Sequence, residues 1–179
     1  LVSIGDVYAM EFSDESFDVV HAHQVLQHLR DPIAALREMR RVCAPGGLVA
    51  VRDADYAAMT WYPPSAALTR WLELYRLVTT SNGGEPDAGR RLLGWASAAG
   101  FGDVAASASA WCFATSSDRA WWSETWAERL RQSDLGRQAE AGGLSDATEL
   151  ARIAQGWLDW GRLPNAWFAV LHGEILCRR

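Results

Sequence analysis

Residues 17–51 read FDVVHAHQVLQHLRDPIAALREMRRVCAPGGLVAV. FDVVHA at 17–22 is a short apolar run that follows the turn chemistry of Ser13-Asp14-Glu15-Ser16, so it predicts a buried strand. Asp31-Pro32 supplies an N-cap followed by proline at the first helical position. Ile33, Leu36, Met39 and Val42 then recur at helical spacing, while Arg37, Glu38, Arg40 and Arg41 take the other face. Pro45-Gly46-Gly47 is expected to stop this helix. LVAV at 48–51 is a continuous apolar run, the pattern of a parallel strand covered on both faces. Strand, helix and strand within about 35 residues define a βαβ unit.

Working outward, LVSIG at 1–5 reads as another strand, ended by Gly5-Asp6. Downstream, Leu68, Trp71, Leu72, Tyr75 and Val78 mark a helix, and Ser81-Asn82-Gly83-Gly84 a loop. A further helix is expected from Asp87 to Ala99, closed by Gly100 as a C-terminal cap. Residues 103–115 predict a strand of mixed polarity, and AWFAVLHGEILC at 166–177 the last strand. Residues 116–164 between them are helical in pattern and long for a connection, which makes them an insertion or a lid. The order predicts an α/β layer fold, one partial domain over 1–179 carrying that insertion.

The insertion holds Trp121, Trp122, Trp126, Trp157 and Trp160. Their spacing suggests that Trp121 and Trp126 share a helix face and leaves Trp122 for another element or a pocket. Two readings stand: a small aromatic core, or an aromatic wall over an apolar ligand that adds cation–π attraction.

Composition narrows the chemistry. The 179 residues carry a net charge of −5 with no basic stripe, which argues against nucleic acid or an anionic membrane as partner. All 17 basic residues are arginines, so mechanisms that need a lysine amine are excluded. Cys43, Cys112 and Cys177 are far apart and odd in number, which predicts a reducing, cytoplasmic setting. No apolar run approaches the roughly 20 residues of a membrane span. His21, His23, His28 and Asp53 invite a metal reading, but no complete ligand spacing is present, so no metal is expected.

GDVYAMEFSDESFDVVHAHQVLQHLRDP at 5–32, followed by ALREMRRVCAPGGLVAV at 35–51, resembles the class I S-adenosylmethionine-dependent methyltransferases, in particular their ubiquinone/menaquinone-biosynthesis branch. GF-x-x-V at 100–104 matches that family's approach to its sixth strand. The resemblance implies a Rossmann-like sheet with helices on both faces. It also implies S-adenosylmethionine as cofactor and methyl transfer to a small organic acceptor. It places Asp6 and Val7 at the adenine, the first as an acceptor for the amino group and the second through its backbone amide. His23 falls at the methionine part of the cofactor with Gln24 on the same wall, and His28 matches a histidine of the family's VL-x-H segment, read as cofactor-binding or, alternatively, as a packed histidine orienting the loop. Asp53, Asp55 and Tyr56 follow the strand that faces the acceptor, and His23, Asp53 and Asp55 are the candidates to take a proton. His172 reads as a core or edge histidine.

A member of that family should also carry a Gly-rich cofactor loop and two further strands between Asp6's strand and the strand at 17–22. Neither is in the sequence, so the resemblance implies an N-terminally truncated chain that binds cofactor weakly or not at all. Residues 1–5 would then be separated from the rest of the sheet by a gap of two missing strands, at about 4.8 Å from strand to strand, and strand 17–22 would have an unpaired edge. Two other functions stay open: a non-catalytic binding protein of the same fold, and a nicotinamide-dependent oxidoreductase.

Overall fold

The computed structural model describes residues 2–179. In chain order its elements are β1 (Phe17–His23), α1 (Pro32–Val42), β2 (Cys43–Ala54), β3 (Thr60–Tyr62), α2 (Ala66–Ser81), α3 (Leu92–Ala98), β4 (Asp103–Phe113), α4 (Ser116–Gln132), α5 (Asp134–Ala141), α6 (Ala147–Gly161) and β5 (Trp167–Arg178). Short 3-10 turns occupy Leu26–His28, Tyr56–Ala58 and Ala88–Arg91. Two compact units emerge, one of residues 2–55, 83–109 and 171–179, the other of 56–82 and 110–170. No helix among the described residues is long and apolar enough to cross a membrane.

The first unit contains the expected βαβ element. β1 runs parallel to β2, with Val19 opposite Leu48 and His23 opposite Arg52. Between them, the Asp31 side chain accepts the Ala34 N–H at 2.9 Å and starts α1 behind Pro32. Ala35, Leu36, Met39 and Val42 form its buried stripe. The helix ends at Val42, before the Pro-Gly-Gly sequence, which lies inside the longer β2 as an irregularity in register. A Cβ on Gly47 would stand 2.7 Å from the Asp18 carbonyl and 2.9 Å from that of Ala44, so the bulge needs glycine there. The rest of β2 pairs antiparallel with β5 from Leu48–Arg178 to Ala54–His172, and β4 also pairs with β5.

Val49, Val51, Ile175 and Cys177 point to a core closed by Leu36 and Met39 of α1, Leu92 and Ala96 of α3, and Phe101. LVAV is therefore not covered equally on both faces, as its apolar run suggests: Leu48 and Ala50 are only half-buried. Their face also carries His21, Arg52, Glu174 and Leu176, which line a shallow concavity.

Three further expectations need correction. Residues 2–5 form no strand, and Val2 and Ile4 are fully exposed. Leu1 lies outside the described residues. A strand needs a neighbour for its backbone groups, and none among the described residues runs beside this segment. β1 is accordingly the outer strand of its sheet. The helix expected from Asp87 begins at Leu92, because Asp87 makes no side-chain cap and the segment ahead is wound into the tighter 88–91 turn. Gly100, at φ +94°, follows this helix as expected. The strand expected to reach residue 115 ends at Phe113, since the Thr115 hydroxyl accepts the Asp118 N–H at 3.2 Å and caps α4.

The second unit is built on aromatic packing. Trp71 of α2 is fully buried, with its ring centroid 4.4 Å from Trp126 and 4.9 Å from Trp157, both edge-on. Trp122 stacks on Phe113 at 4.2 Å. Trp122 and Trp126 share the buried face of α4 while Trp121 is exposed, the reverse of the expected arrangement. The i, i+4 pair lies along one helix stripe, its rings edge to face at 5.7 Å, and the i, i+5 pair diverges. In this unit β3 pairs antiparallel with the start of β5, Trp61 opposite Phe168.

Candidate functional site

In the first unit, the ends of β1 and β2 gather the polar groups predicted for the site. β1 stops at His23, and Gln24 takes a left-handed conformation, φ +55°, which costs a non-glycine residue about 1 kcal/mol. Its N–H donates to the Arg52 carbonyl at 2.7 Å, which fixes the reversal against β2. The chain then winds into the Leu26–His28 turn, where Leu26 and Gln27 are buried.

From this turn a chain of side-chain contacts runs across the site. The Gln24 amide lies 3.1 Å from Nε2 of His172, a fully buried residue of β5. Nε2 of Gln27 donates to Oε1 of Gln24 at 3.4 Å and meets Nε2 of His28 at 3.2 Å. Gln24, Gln27, His28 and His172 therefore form one network, with the histidines at its two ends.

Asp53 is completely buried, and its Oδ1 accepts the Gln27 backbone N–H at 3.2 Å. Its Oδ2 is buried without a hydrogen-bond partner. Burial pushes this carboxyl up to about 6, against a smaller opposing pull from the Gln27 and Leu26 amides. The native state thus holds the proton more tightly than the unfolded chain. The stability this group contributes is complete below its ordinary pKa of 3.8 and is lost as pH rises through about 6. Asp53→Asn, neutral throughout, is expected to raise stability by at most roughly 3 kcal/mol at about pH 8, an advantage that fades under acid conditions. Urea unfolding of both proteins across that range checks this; a variant less stable than the parent at alkaline pH would contradict it.

Asp55 is also buried, but both its oxygens are engaged by Arg90, Nε and Nη2 each donating at 2.6 Å. The pair anchors the 88–91 turn, in which Gly89 lies flat against Gly173 of β5. Tyr56 belongs to the second unit and stacks on Tyr75 at 4.0 Å.

His23 is exposed, with Nε2 3.1 Å from an Arg52 guanidinium nitrogen. Arginine only donates, so Nε2 carries the lone pair and the ring proton sits on Nδ1. Desolvation first, then the Arg52 charge and His21, hold the His23 pKa below its ordinary value. Arg52 is itself held by Glu174 at 2.9 Å and Ser109 at 3.0 Å.

Asp6 and Val7 stand apart from this network. With Ser3, Ile4, Met10 and Phe12 they line a different concavity of about 370 Å³. The Asp6 carboxylate accepts the Tyr8 N–H at 2.9 Å, and the segment is fastened to α1, where Glu38 accepts the Met10 N–H at 2.8 Å. No group of three or more His, Cys, Asp or Glu able to hold a metal ion occurs among the described residues.

Of the residues predicted for the site, Gln24, His28 and Asp53 come together, His23 stands beside them, and Asp55 is an anchor two residues further on. Gln27 and His172 were not foreseen. Gln27 lies between Gln24 and His28, both already singled out, but His172 is 148 positions from its partner and has no local signal.

Residues 2–51, which build the Asp6 concavity, β1, the turn, α1 and most of β2, match the family described as Methyltransferase domain. An uncharacterized methyltransferase of Schizosaccharomyces pombe is 34% identical over 178 residues, covering 98% of this chain and 63% of the yeast protein. The chain thus spans less than two thirds of that relative's length. Demethylmenaquinone methyltransferase of Streptomyces griseus is 37% identical over 68 residues, 38% of this chain and 29% of its own. The YcgJ protein of Bacillus subtilis shares the fold with a TM-score of 0.53 at 17% identity, over 98% of this chain and 69% of its own. The chain thus shares its α/β fold with YcgJ, and along nearly its whole length it is similar to a protein named as a methyltransferase.

Proposed function

We propose that this protein transfers a methyl group from S-adenosylmethionine to a small organic acceptor. The observation that carries the reading is that the segment matching the methyltransferase domain is the one that folds as β1, turn, α1 and β2, with its polar side chains at the strand ends. In open α/β sheets, ligands bind in the crevice outside those ends.

The donor set suits the cofactor. Asp6 offers a carboxylate and Val7 a backbone amide in a concavity also lined by Ile4, Met10 and Phe12, a combination that fits the polar edge and flat face of an adenine. Gln24 and His28 supply amide and imidazole groups for the amino-acid part. When bound, the cofactor supplies a methyl group already activated on a sulfonium. The protein's tasks are then to align the acceptor and exclude water, and a dedicated base is not required. Two observations argue against Asp53 and Asp55 as the group that takes the acceptor's proton: Asp53, near the end of β2, is closed off from solvent, and Asp55, just past it, is bound through both oxygens to Arg90. The Nε2 of His23 is turned to Arg52, which argues against that nitrogen as the proton acceptor.

Calorimetric titration of S-adenosylhomocysteine into this chain, and into the product of the complete reading frame that encodes it, tests the proposal. Saturable binding to the latter is expected, weakened about tenfold or more by Asp6→Ala through loss of a charge-assisted hydrogen bond. Binding by neither protein would overturn the cofactor assignment. Affinity untouched by Asp6→Ala would remove Asp6 from the site.

A further inference from the structure

We propose that Asp53 is a positioning residue: supplied from β2, its carboxylate is the N-terminal cap of the Leu26–His28 turn, and through that turn it sets where Gln24, Gln27 and His28 stand. A helical turn exposes its first N–H groups, which need acceptors. The residue in the capping position is Val25, which has no side-chain acceptor, and no local cap is made. The acceptor comes instead from a residue 26 positions away, since Asp53 Oδ1 takes the Gln27 N–H at 3.2 Å. The Leu26 amide favours the same carboxylate in its charged form.

Water has little room to substitute. Gln27 is 2% exposed and Asp53 fully buried, so losing the carboxylate would leave the Gln27 N–H without an acceptor in a dry environment. The turn is fastened on its other side by the Glu85 N–H, which donates to the Gln27 carbonyl at 2.9 Å, and ahead of it by the Gln24 N–H on the Arg52 carbonyl. Asp53 thus holds the donor side of a turn whose acceptor side is already secured. The Gln27 side chain starts from this backbone and touches both Gln24 and His28, so its place in the network follows from the cap. The same burial keeps Asp53 from acting on a ligand directly. It works through the turn.

Two readouts separate this role from a general contribution to folding. The first needs no ligand: hydrogen exchange at the Gln27 amide, followed by NMR in this chain. Asp53→Ala is expected to speed that exchange about tenfold or more, while Asp53→Asn, whose amide oxygen can still accept, stays close to the parent. Asp53→Leu, which fills the space without an acceptor, stands in if the alanine variant does not fold, and is expected to match it. The second readout rests on the proposed methyltransferase function. In the product of the complete reading frame, S-adenosylhomocysteine affinity is expected to fall about tenfold with Ala or Leu and to be rescued by Asn.

Exchange at Gln27 unchanged by Ala or Leu would overturn the cap. So would an asparagine variant as fast as alanine, since the charge rather than an acceptor at that place would then matter. If the parent fails to bind S-adenosylhomocysteine, the cofactor reading falls, and the exchange experiment still decides the cap.

Discussion

Gly173→Ala is expected to destabilise the first unit by roughly 3 kcal/mol or more, the upper end of what overpacking a core costs. Gly173 pairs with Asp53 across the β2–β5 ladder, and the 88–91 turn is pressed onto it. A Cβ at Gly173 would collide with the Gly89 carbonyl group and stand 2.8 Å from its Cα. These are backbone atoms, which no rotamer change can move aside. Relief requires the whole turn to lift, and the turn carries Arg90, whose guanidinium pairs with the buried Asp55. The reciprocal change, Gly89→Ala, meets the Gly173 nitrogen at 2.7 Å and the Asp53 carbonyl at 2.9 Å and is expected to cost a similar amount. At about 2–4 °C per kcal/mol for a chain of this size, the fall in Tm is roughly 6–12 °C. Gly94 serves as the control, because a Cβ there meets nothing within 4 Å, and Gly94→Ala inside α3 is expected to stabilise by about 0.5–1 kcal/mol. Thermal unfolding of the three variants checks this. A Gly173→Ala protein within about 1 kcal/mol of the parent would show that the turn shifts freely.

Trp71→Ala should remove about 3–5 kcal/mol from the second unit. Trp71 is fully buried and has Trp126, Trp157, Tyr75, Tyr56 and Phe168 around it, with ring centroids between 4.4 and 6.4 Å away. Replacing it by alanine opens a cavity bounded by rigid rings, which collapse poorly around a void. Its indole N–H is buried without a hydrogen-bond partner, as are those of Trp122, Trp126, Trp157 and Trp160. Trp71→Phe therefore sacrifices no hydrogen bond and sheds a desolvated donor. It is expected to cost well under half as much as the alanine variant. Trp121, 57% exposed, should tolerate alanine with a loss below about 1 kcal/mol. Denaturant unfolding of the set decides the matter: equal losses for Trp71→Ala and Trp121→Ala would contradict the packing described.

Much of the fold was legible because its signals are local. The Asp31-Pro32 cap, the apolar stripe of α1 and the runs that became β1 and β2 depend on residues within a few positions of one another. The errors came where an element's limits depend on something distant. LVSIG has strand composition, but strand formation requires a paired neighbour, and residues 2–5 have none among the described residues. The helix expected from Asp87 opens as a tighter turn, next to a glycine of β5 across 84 positions of sequence, Gly89 against Gly173. The tryptophan spacing was consistent with more than one face assignment, and only the packing of α4 against its neighbours selected Trp122 with Trp126.

The candidate site divides along the same line. The resemblance to methyltransferases singled out Gln24, His28, Asp53 and Asp55 by their positions after a strand. Their states were not readable: burial of Asp53, the grip of Arg90 on Asp55 and the joining of Gln24 to His172 arise from groups 26, 35 and 148 residues apart. The sequence by itself determined the βαβ core and the resemblance to methyltransferases, since periodicity, capping and motif spacing are properties of the local chain. Tertiary structure alone decided which carboxylate is dry, which is paired and which turn each one holds, because desolvation and hydrogen bonding depend on what folds against a group, not on what precedes it.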